Sequence, residues 1–343
     1  MNKTNNVTNI KTIHKPDEPD RISKIEKQLI EIEHPSFKNF IQKSGDFINT
    51  DFPEKEYYLG HIIAEQQIIL VPGWRGTGKT WFCLGIADAI TTGKNFGPWE
   101  TGKTAPVMYV DAELPPGDFK DRIKSLNPRE ERQSPLYVYN DCFMTANGIK
   151  RAYLTDEIWQ NDIRDALLEL GVKVVIFDNI SSLTPGIEEN SKKEWDPVNQ
   201  FLLSLRFAGI TSILPHHTSK EGKQRGTSGR EDNIDFSILL KHPVNYNPDM
   251  GCEFIATFSK SRIPQKYLKE VRDIHFKLDV TDKGESVFTY NSVRSNESVI
   301  LLLKEGWTQK EVAKEVGVST GRISQIKKQS GLFDEPEKKT KKG

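Results

Sequence analysis

Apolar and polar positions follow one another along the chain in a pattern that predicts short strands separated by longer helices. Mainly apolar runs, typical of strands buried on both faces of a sheet, lie at residues 67–71, 107–110, 136–139, 174–177 and 209–214. Residues 81–90 have helical character, and residues 158–170 carry their apolar positions at amphipathic helical spacing. Four further strand-like runs lie at residues 236–240, 253–258, 274–278 and 287–290. Strands that alternate with helices indicate an α/β domain built on a central, mostly parallel sheet.

The two ends of the chain differ from this central pattern. Residues 1–20 are rich in Asn, Thr, Lys and Pro, which predicts disorder. Residues 21–33 predict an amphipathic helix, whose apolar stripe packs either on the chain's own core or on a neighbouring subunit. That stripe consists of Ile22, Ile25, Leu29 and Ile32. We therefore divide the chain into a disordered or helical arm (1–36), an α/β domain (37–292), a small all-helical domain (295–331) and a disordered charged tail (332–343).

Composition indicates the cellular compartment of the protein but does not indicate a binding partner. The 343 residues include 48 Lys and Arg and 48 Asp and Glu, so any basic surface must be local. Cys83, Cys142 and Cys252 are widely spaced, which indicates reduced thiols rather than a metal site. No apolar run approaches membrane-spanning length and the N-terminus is polar, so we expect a cytoplasmic protein without a membrane partner.

The strongest motif follows the first of the predicted strands of the α/β domain. It has the pattern G-x-x-x-x-G-K-[ST] and consists of Gly73, Trp74, Arg75, Gly76, Thr77, Gly78, Lys79 and Thr80. Glycines let successive backbone N–H groups converge on an anion, and the helix that follows adds its positive N-terminal end. Lys79 would contact the β- and γ-phosphates, and the Thr80 hydroxyl would ligate Mg²⁺. The strand–loop–helix context predicts an ATP site in which Mg²⁺ is a cofactor.

Two later strands end in carboxylates. Residues 174–177 lead into Asp178, which matches the second nucleotide-binding motif and is expected to hold Mg²⁺. Residues 107–110 lead into Asp111 and then Glu113, and strand ends of a parallel sheet line the ligand crevice. Glu113 is therefore a candidate base for the attacking water, the alternative being an ordinary solvated acid at a strand end.

Two further groups of polar residues also follow strands. His216 and His217 lie at the end of the strand that begins near residue 209, and we expect both to contact phosphate or the attacking water. Lys260 and Arg262 come just past the predicted strand 253–258, and their alternate spacing would let both reach one phosphate group. An ordinary basic strand end is the alternative for this pair.

Taken together, these motifs resemble the RecA superfamily over residues 59–290. The run of residues 110–113 looks like the strand end that carries the catalytic glutamate in RecA proteins, and the histidine run with Arg225 after it resembles RepA-like plasmid helicases and related phage and mobile-element ATPases. The resemblance implies that His217 senses the γ-phosphate and that Arg225 is an arginine finger. Lys260 and Arg262 are similar to the basic pair that DnaB-type ring helicases present across a subunit interface. The same resemblance implies a homo-oligomer, a hexamer by analogy, with single-stranded DNA in the ring.

Two residues, Asn179 and Trp74, separate the chain from two other P-loop families. AAA+ ATPases have Glu after the magnesium-binding Asp, where this chain has Asn179. ParA-type ATPases have Lys at the second position of the phosphate loop, where this chain has Trp74. Both families are disfavoured on these residues, and the base must come from elsewhere, which favours Glu113.

The C-terminal helices predict a helix-turn-helix. Residues 299–303 open a first helix, Thr308 caps a second, and residues 320–329 form a third after a turn at 317–319. The arrangement is similar to resolvase-type and sigma-like modules, and Ile323 and Ile326 are expected to face inward. The candidate duplex-DNA contacts are Thr320, Arg322, Gln325, Lys327 and Lys328. The alternative is a trihelical module that docks a protein.

Three functions are compatible with these features. The first is a ring-forming, ATP-driven DNA helicase or translocase of a plasmid, phage or mobile element. The second is a regulator that uses nucleotide to switch its helix-turn-helix on and off DNA, and the third is a helicase loader. The predicted set of Glu113, His217, Arg225 and the basic pair favours turnover, because a pure switch needs no finger from a neighbour.

Overall fold

A computed structural model describes residues 36–187, 191–218, 233–243, 246–292, 296–316 and 318–330. The predicted N-terminal helix at residues 21–33, the finger candidate Arg225 and the charged tail lie outside the described residues. The chain divides into two units, residues 1–54 and 55–343. In the described part of the first unit, a 3₁₀ turn at Phe37–Asn39 is followed by the short helix α1, Ser44–Ile48.

The second unit contains eleven strands among its described residues. They are β1 Tyr57–Leu59, β2 Ile63–Ala64, β3 Ile68–Gly73, β4 Val107–Asp111, β5 Leu136–Asn140, β6 Val174–Asp178, β7 Thr211–His217, β8 Phe236–Lys241, β9 Glu253–Ser261, β10 Ile274–Val280 and β11 Ser286–Ser292. Strands β1 and β2 form an antiparallel pair, and the other nine form one sheet in the order β11-β10-β9-β8-β3-β7-β6-β4-β5. The six strands from β8 to β5 are parallel, and β9 to β11 extend the sheet antiparallel.

Helices connect the parallel strands. They are α2 Lys79–Thr92, α3 Pro116–Leu126, α4 Asp141–Ala146, α5 Glu157–Glu169, α6 Ile180–Leu183 and α7 Lys192–Phe207, with 3₁₀ turns at Pro248–Met250 and Gln265–Val271. Three more helices follow the sheet: α8 Asn296–Lys304, α9 Gln309–Val316 and α10 Thr320–Gln329. This architecture confirms the predicted α/β class with a mostly parallel sheet and a helical C-terminal region.

The sheet is covered on both faces, which explains why its central strands are continuously apolar. Along β3, Ile69 and Val71 join one buried cluster, and Ile68 and Leu70 join the other. Successive strand residues point to opposite faces, so both faces need apolar side chains when helices cover both. Helix α2 contributes to the first cluster and helices α5 and α7 to the second.

Several predicted strand limits differ from the observed ones by one to three residues. Strand β3 continues through Pro72 to Gly73, in parallel register with His216 and His217 of β7. The prediction ended it at residue 71, on the assumption that proline stops a strand. Strand β7 begins at Thr211 instead of residue 209, and β9 extends to Ser261 instead of ending at residue 258.

The three C-terminal helices enclose a small core of their own. Ile323 is fully buried and Ile326 is 4 % exposed, so the predicted inward positions are confirmed. Thr308 begins α9 with a capping box: the Glu311 N–H donates to Thr308 Oγ1 at 3.2 Å, and the Thr308 N–H donates to Glu311 Oε2 at 2.8 Å. Ser319 caps α10 through the N–H of Arg322, at 3.2 Å. The predicted cap at Thr308 and the third helix are therefore confirmed.

None of the helices in the described part of the chain is long and apolar enough to cross a membrane.

Candidate nucleotide-binding site

The candidate residues meet at the carboxyl ends of four neighbouring parallel strands. In the sheet register Gly73 of β3 lies opposite His217 of β7, and Asp111 of β4 lies opposite Asp178 of β6. In an open α/β sheet this edge is where ligands bind. The fold therefore assembles at one edge residues that are more than a hundred positions apart in the sequence.

The phosphate loop spans the turn between β3 and α2. Gly76 and Gly78 have φ values of 78° and 89°, in the left-handed region that favours glycine. A Cβ on Gly78 would also lie 2.5 Å from Cys252 Sγ, so the position has no room for a side chain. Helix α2 starts at Lys79 with its N-terminal N–H groups at the loop. This geometry fits a bound phosphate.

Lys79 is folded back onto the loop. Its Nζ donates to the carbonyl oxygens of Gly73 and Trp74, each at 3.1 Å, and lies 3.0 Å from Nδ1 of His217. Burial lowers the pKa of Lys79, an effect opposed by the negative charges of Asp178 and Glu113. The Lys79 ammonium is thus hydrogen-bonded to carbonyl oxygens of the loop, within reach of the place where the loop would bind a phosphate.

Asp178 and Thr80 form the candidate magnesium site. The Asp178 carboxylate is buried, accepts a hydrogen bond from Tyr109 Oη at 2.7 Å, and also accepts one from the Thr80 side chain. Burial raises the pKa of Asp178, and these two hydrogen bonds oppose the shift. A buried carboxylate beside a hydroxyl is a donor set that suits a hard cation such as Mg²⁺, which would neutralise charge on the phosphates. Tyr109 was not predicted as a functional residue, since its apolar strand context gave no signal.

Glu113 reaches the same cleft from the loop after β4. Its backbone N–H donates to Asp111 Oδ1 at 3.3 Å, which fixes the turn, and its side chain is 46 % exposed. The carboxylate accepts a hydrogen bond from Asn179 Nδ2 and lies 4.0 Å from Nε2 of His217. The carboxylate is therefore held at the cleft and remains open to water, as a general base requires.

Asn179 links the two candidate catalytic side chains. In addition to its contact with Glu113, its Nδ2 lies 3.3 Å from Nε2 of His217. In the sequence, Asn179 is only the residue that stands in place of a glutamate, because nothing in its neighbours along the chain indicates a contact with residues 113 and 217.

The histidine pair is divided between the two faces of the sheet. His217 lines the cleft, whereas His216 is 7 % exposed and, as the preceding strand residue, points the opposite way. The prediction that both histidines contact phosphate or water was therefore wrong for His216. Burial and the positive charge of Lys79 lower the pKa of His217, which keeps its ring neutral near pH 7.

These side chains surround a cleft of about 360 Å³. Its described lining residues are Gly76, Gly78, Lys79, Thr80, Trp81, Glu113, Leu114, Arg122, Asp178, His217, Tyr246, Pro248, Gly251 and Cys252. The guanidinium of Arg122 lies 5.2 Å from the centre of the Trp81 ring, within the range of a cation–π contact. Trp81, Arg122 and Tyr246 were not predicted as cleft residues, because none belongs to a spaced motif.

The basic pair Lys260 and Arg262 lies elsewhere. Lys260 is in β9 opposite Ser237, and Arg262 lies beside Asp235, with Nη1 3.3 Å from Asp235 Oδ1. The Asp235 N–H donates to the carbonyl oxygen of Ile68, so Arg262 is level with Ile68, the first residue of β3. The phosphate loop begins at Gly73, the last residue of β3. Five strand residues separate the two levels, which is about 17 Å. Arg262 therefore lies at the opposite edge of the sheet from its own chain's phosphate loop, whereas Lys260 is level with Leu70, three residues or about 10 Å before Gly73.

The candidate DNA contacts share one helix. Thr320, Arg322, Gln325 and Lys328 on α10 are exposed, and Lys327 is half-buried. The apolar residues of the same helix, Ile323 and Ile326, are buried against α8 and α9. Helix α10 therefore presents a polar and basic face with three cations, Arg322, Lys327 and Lys328.

Strand β7 separates the phosphate-loop strand β3 from the Asp178 strand β6, and the Glu113 strand β4 lies next to β6. This order, with the antiparallel extension β9 to β11, places the protein among the RecA-like P-loop ATPases and confirms the resemblance seen in the sequence. The chain belongs to the AAA_25 family, described as an AAA domain, which matches residues 34–223. Despite the family's name, Asn179 stands where AAA+ ATPases have glutamate, and Glu113 comes from a different strand.

Three further similarities were found. Sigma-70, region 4, matches residues 294–330 and supports the helix-turn-helix. A KaiC-like protein, PH0186, from Pyrococcus horikoshii OT3 is 17 % identical, with 66 % of this chain and 91 % of that chain covered and a TM-score of 0.44. The flagellar accessory protein FlaH from Methanocaldococcus jannaschii is also 17 % identical, with 66 % and 90 % covered and a TM-score of 0.42. No curated protein matches the chain.

Proposed function

We propose that the protein is an ATP-hydrolysing motor that acts on DNA, with Mg²⁺ as cofactor. In its most specific form it is a ring-forming replicative helicase or translocase of a plasmid, phage or mobile element. The observation that carries this proposal is the convergence of Lys79, Glu113, Asp178 and His217 on one cleft, while Arg262, two residues after Lys260, lies at the far edge of the same sheet.

The cleft supplies the groups that hydrolysis needs from one chain. The Glu113 carboxylate accepts the proton of the attacking water, and Lys79 turns from the loop carbonyls to the phosphate oxygens. Thr80 and Asp178 would hold the cation. A neutral His217 beside Glu113 can donate to a phosphate oxygen without adding a charge that would repel Lys79.

Phosphoryl transfer also needs positive charge on the outer oxygens of the transferring group, and an arginine from a neighbouring subunit contributes ~10³–10⁵ in rate. Along the strand direction Arg262 lies about 17 Å from its own phosphate loop, too far for its side chain to cross, and Lys260, level with Leu70 and two strands away from β3, lies about 10 Å from it. We therefore infer that they serve the site of the next subunit in a ring, with six as the expected number by resemblance. Arg225 is the other candidate finger.

A mixing experiment tests this arrangement. Glu113→Gln is inactive in its own cleft, and a double Arg225→Ala/Arg262→Ala variant lacks the fingers. Mixed oligomers should recover part of the ATPase activity, because some interfaces pair an intact Glu113 with an intact finger. The matched control mixes Glu113→Gln with Lys79→Ala, two defects of the same cleft, and recovers less. Flat activity at every ratio, with subunit exchange demonstrated, contradicts the trans role.

DNA enters the proposal through two surfaces: single-stranded DNA in the ring, and duplex DNA on α10. The ATPase rate is measured with and without single-stranded DNA, alongside displacement of a strand from a forked duplex. We expect stimulation and displacement by the full chain. Removal of residues 295–343 should leave ATPase activity largely intact and abolish specific duplex binding.

The Sigma-70, region 4 match favours one second function, an ATP-switched regulator of duplex DNA. A regulator would change its affinity for duplex DNA between ATP and ADP and would displace no strand. ATP-dependent strand displacement rejects the regulator, and nucleotide-dependent duplex affinity without displacement rejects the helicase.

A further inference from the structure

We propose that Asn179 is a positioning residue that aligns Glu113 and selects the tautomer of His217 with its proton on Nδ1. The inference deepens the proposed ATP hydrolysis and rests on it for its kinetic consequence. It concerns a residue that touches neither phosphate nor metal in the proposed chemistry, and acts through two residues that do.

The orientation of the Asn179 amide is determined by the helix that it caps. Its Oδ1 accepts the N–H of Ser182 at 3.0 Å, at the N-terminus of α6. The side-chain nitrogen must therefore face the other way, where it contacts Glu113 Oε2 and lies 3.3 Å from His217 Nε2. Asn179 itself is 1 % exposed, so its amide is shielded from water while the Glu113 carboxylate that it contacts reaches the cleft.

An amide nitrogen only donates, and this property restricts the histidine ring. A neutral imidazole carries one N–H and one acceptor nitrogen. If Nε2 accepts from Asn179, the proton must be on Nδ1. Lys79 Nζ, however, lies 3.0 Å from Nδ1 and is also a donor while it is charged. The ring thus faces a donor at each nitrogen and can accept from only one of them.

The two donors differ in their freedom to move. Lys79 is held by carbonyl oxygens of the phosphate loop and can exchange them for phosphate oxygens, whereas Asn179 is buried and tied to α6. Once Lys79 has turned to phosphate, the Asn179 contact alone decides the tautomer. Nδ1–H then faces the phosphate loop and can donate to the nucleotide. Burial and Lys79 lower the pKa of His217, which is consistent with a neutral ring.

Two substitutions separate this role from the helix cap. Asn179→Ser and Asn179→Asp both keep a good N-cap side chain for α6. Asn179→Ser lacks the amide that reaches both partners. Asn179→Asp replaces the donor by an acceptor, so it repels Glu113 and forces the His217 proton onto Nε2.

The test is ¹⁵N NMR of histidine-labelled full-length protein with Mg²⁺ and a non-hydrolysable ATP analogue, in which ring nitrogen shifts report the tautomer. Loss of the signal in His217→Gln assigns it. We expect Nδ1–H in the wild type and Nε2–H in Asn179→Asp. The proposal is overturned if His217 of the wild type carries its proton on Nε2, or if both proteins have the same tautomer. These shifts remain readable if the wild type hydrolyses no ATP, which would reject the proposed function alone.

Kinetics provide the second readout. Because Asn179 acts on the catalytic groups, kcat should fall while KM for ATP changes little. A misplacement of catalytic groups by about 1 Å can lower the rate by roughly 10²-fold, which we expect for Asn179→Asp, with a smaller loss for Asn179→Ser. The positioning role is contradicted if Asn179→Asp has the same kcat as the wild type, or if only KM for ATP changes.

Discussion

The ATP cleft and the C-terminal helices use their polar residues in opposite ways. In the cleft the functional groups are partly or fully buried and share partners: His217 lies within 4.0 Å of Glu113 and contacts Lys79 and Asn179. On α10 the candidate DNA contacts project from a surface, while Ile323 and Ile326 hold the helix in place. The polar side chains of the cleft form a network of shared contacts. In the helical domain, by contrast, the buried residues hold the fold and the exposed residues are the candidate DNA contacts.

This difference determines how each region should respond to mutation. A change in the cleft alters several neighbours, because a buried polar group that loses its partner remains desolvated. A change on the exposed face of α10 removes one interaction with a ligand and leaves the fold intact. The following substitutions test the contrast, from the largest expected effect to the smallest.

Glu113→Gln should lower kcat for ATP by ~10²–10⁴-fold and leave ATP binding intact, since the amide cannot accept the proton of water. Lys79→Ala, by contrast, should weaken ATP binding itself. Turnover and nucleotide affinity are measured together, with Glu157→Gln on the exposed face of α5 as the matched control. Near-normal turnover in Glu113→Gln would show that Glu113 is not the general base. It would also contradict the description of the cleft as a network of coupled catalytic groups.

Asp111, beneath the Glu113 turn, should make stability depend on pH. Burial raises its pKa to about 6, so the folded state retains a proton that an ordinary Asp has lost. Its contribution to the free energy of unfolding is complete below about pH 4 and is lost as the pH rises through about 6, a change of about 3 kcal/mol at 1.36 kcal/mol per pKa unit. Asp111→Asn lacks this titration, so its stability relative to wild type should rise by most of that amount between pH 4 and pH 7. A pH-independent difference in chemical denaturation contradicts the assignment.

Glu311 in the helical domain should respond to pH in the opposite direction. Hydrogen bonds from Thr308 lower the pKa of Glu311, so its contribution is present at neutral pH and is lost as the pH falls. Hydrogen exchange of α9 amides, recorded from pH 7 to pH 4, should therefore accelerate beyond its intrinsic pH trend. If the stability contributions of Asp111 and Glu311 changed in the same direction with pH, the two regions would not differ in this respect.

Arg322→Ala should weaken duplex binding by roughly tenfold and, if Arg322 contacts a phosphate, reduce the salt slope by about one. ATPase activity should not change, because Arg322 lies on the exposed face of α10. Lys304→Ala, an exposed cation on α8, is the matched control for lost charge. Unchanged duplex affinity in both Arg322→Ala and Lys328→Ala favours a protein-docking module.

Thr308→Ala should produce the smallest effect, a loss of about 1 kcal/mol in the stability of the helical domain. It removes the hydroxyl that accepts the Glu311 N–H. Thr308→Ser keeps this hydrogen bond and should restore most of the protection of α9 amides in hydrogen exchange. Equal exchange in all three proteins would show that tertiary packing outweighs the cap.

Local pattern was enough for much of the fold and for the centre of the site. The strands, the phosphate loop, the carboxylates at two strand ends and the inward isoleucines of α10 were all predictable, because each depends on neighbours within a few residues. The strand limits were less accurate: Pro72 lies inside β3, since register with β7 and β8 maintains the extended backbone beyond the proline.

The sequence by itself determined which residue types stand at the strand ends, and hence the chemistry available to this ATPase. Only the tertiary structure decided which of them meet. Because strand residues alternate between faces, His217 points into the cleft and His216 away from it. Antiparallel pairing places Lys260 level with Leu70 and Arg262 at the far edge of the sheet. The cap of α6 turned the Asn179 amide towards Glu113 and His217. The reason is physical: spacing along a chain specifies local geometry, whereas register and packing between distant segments specify contact.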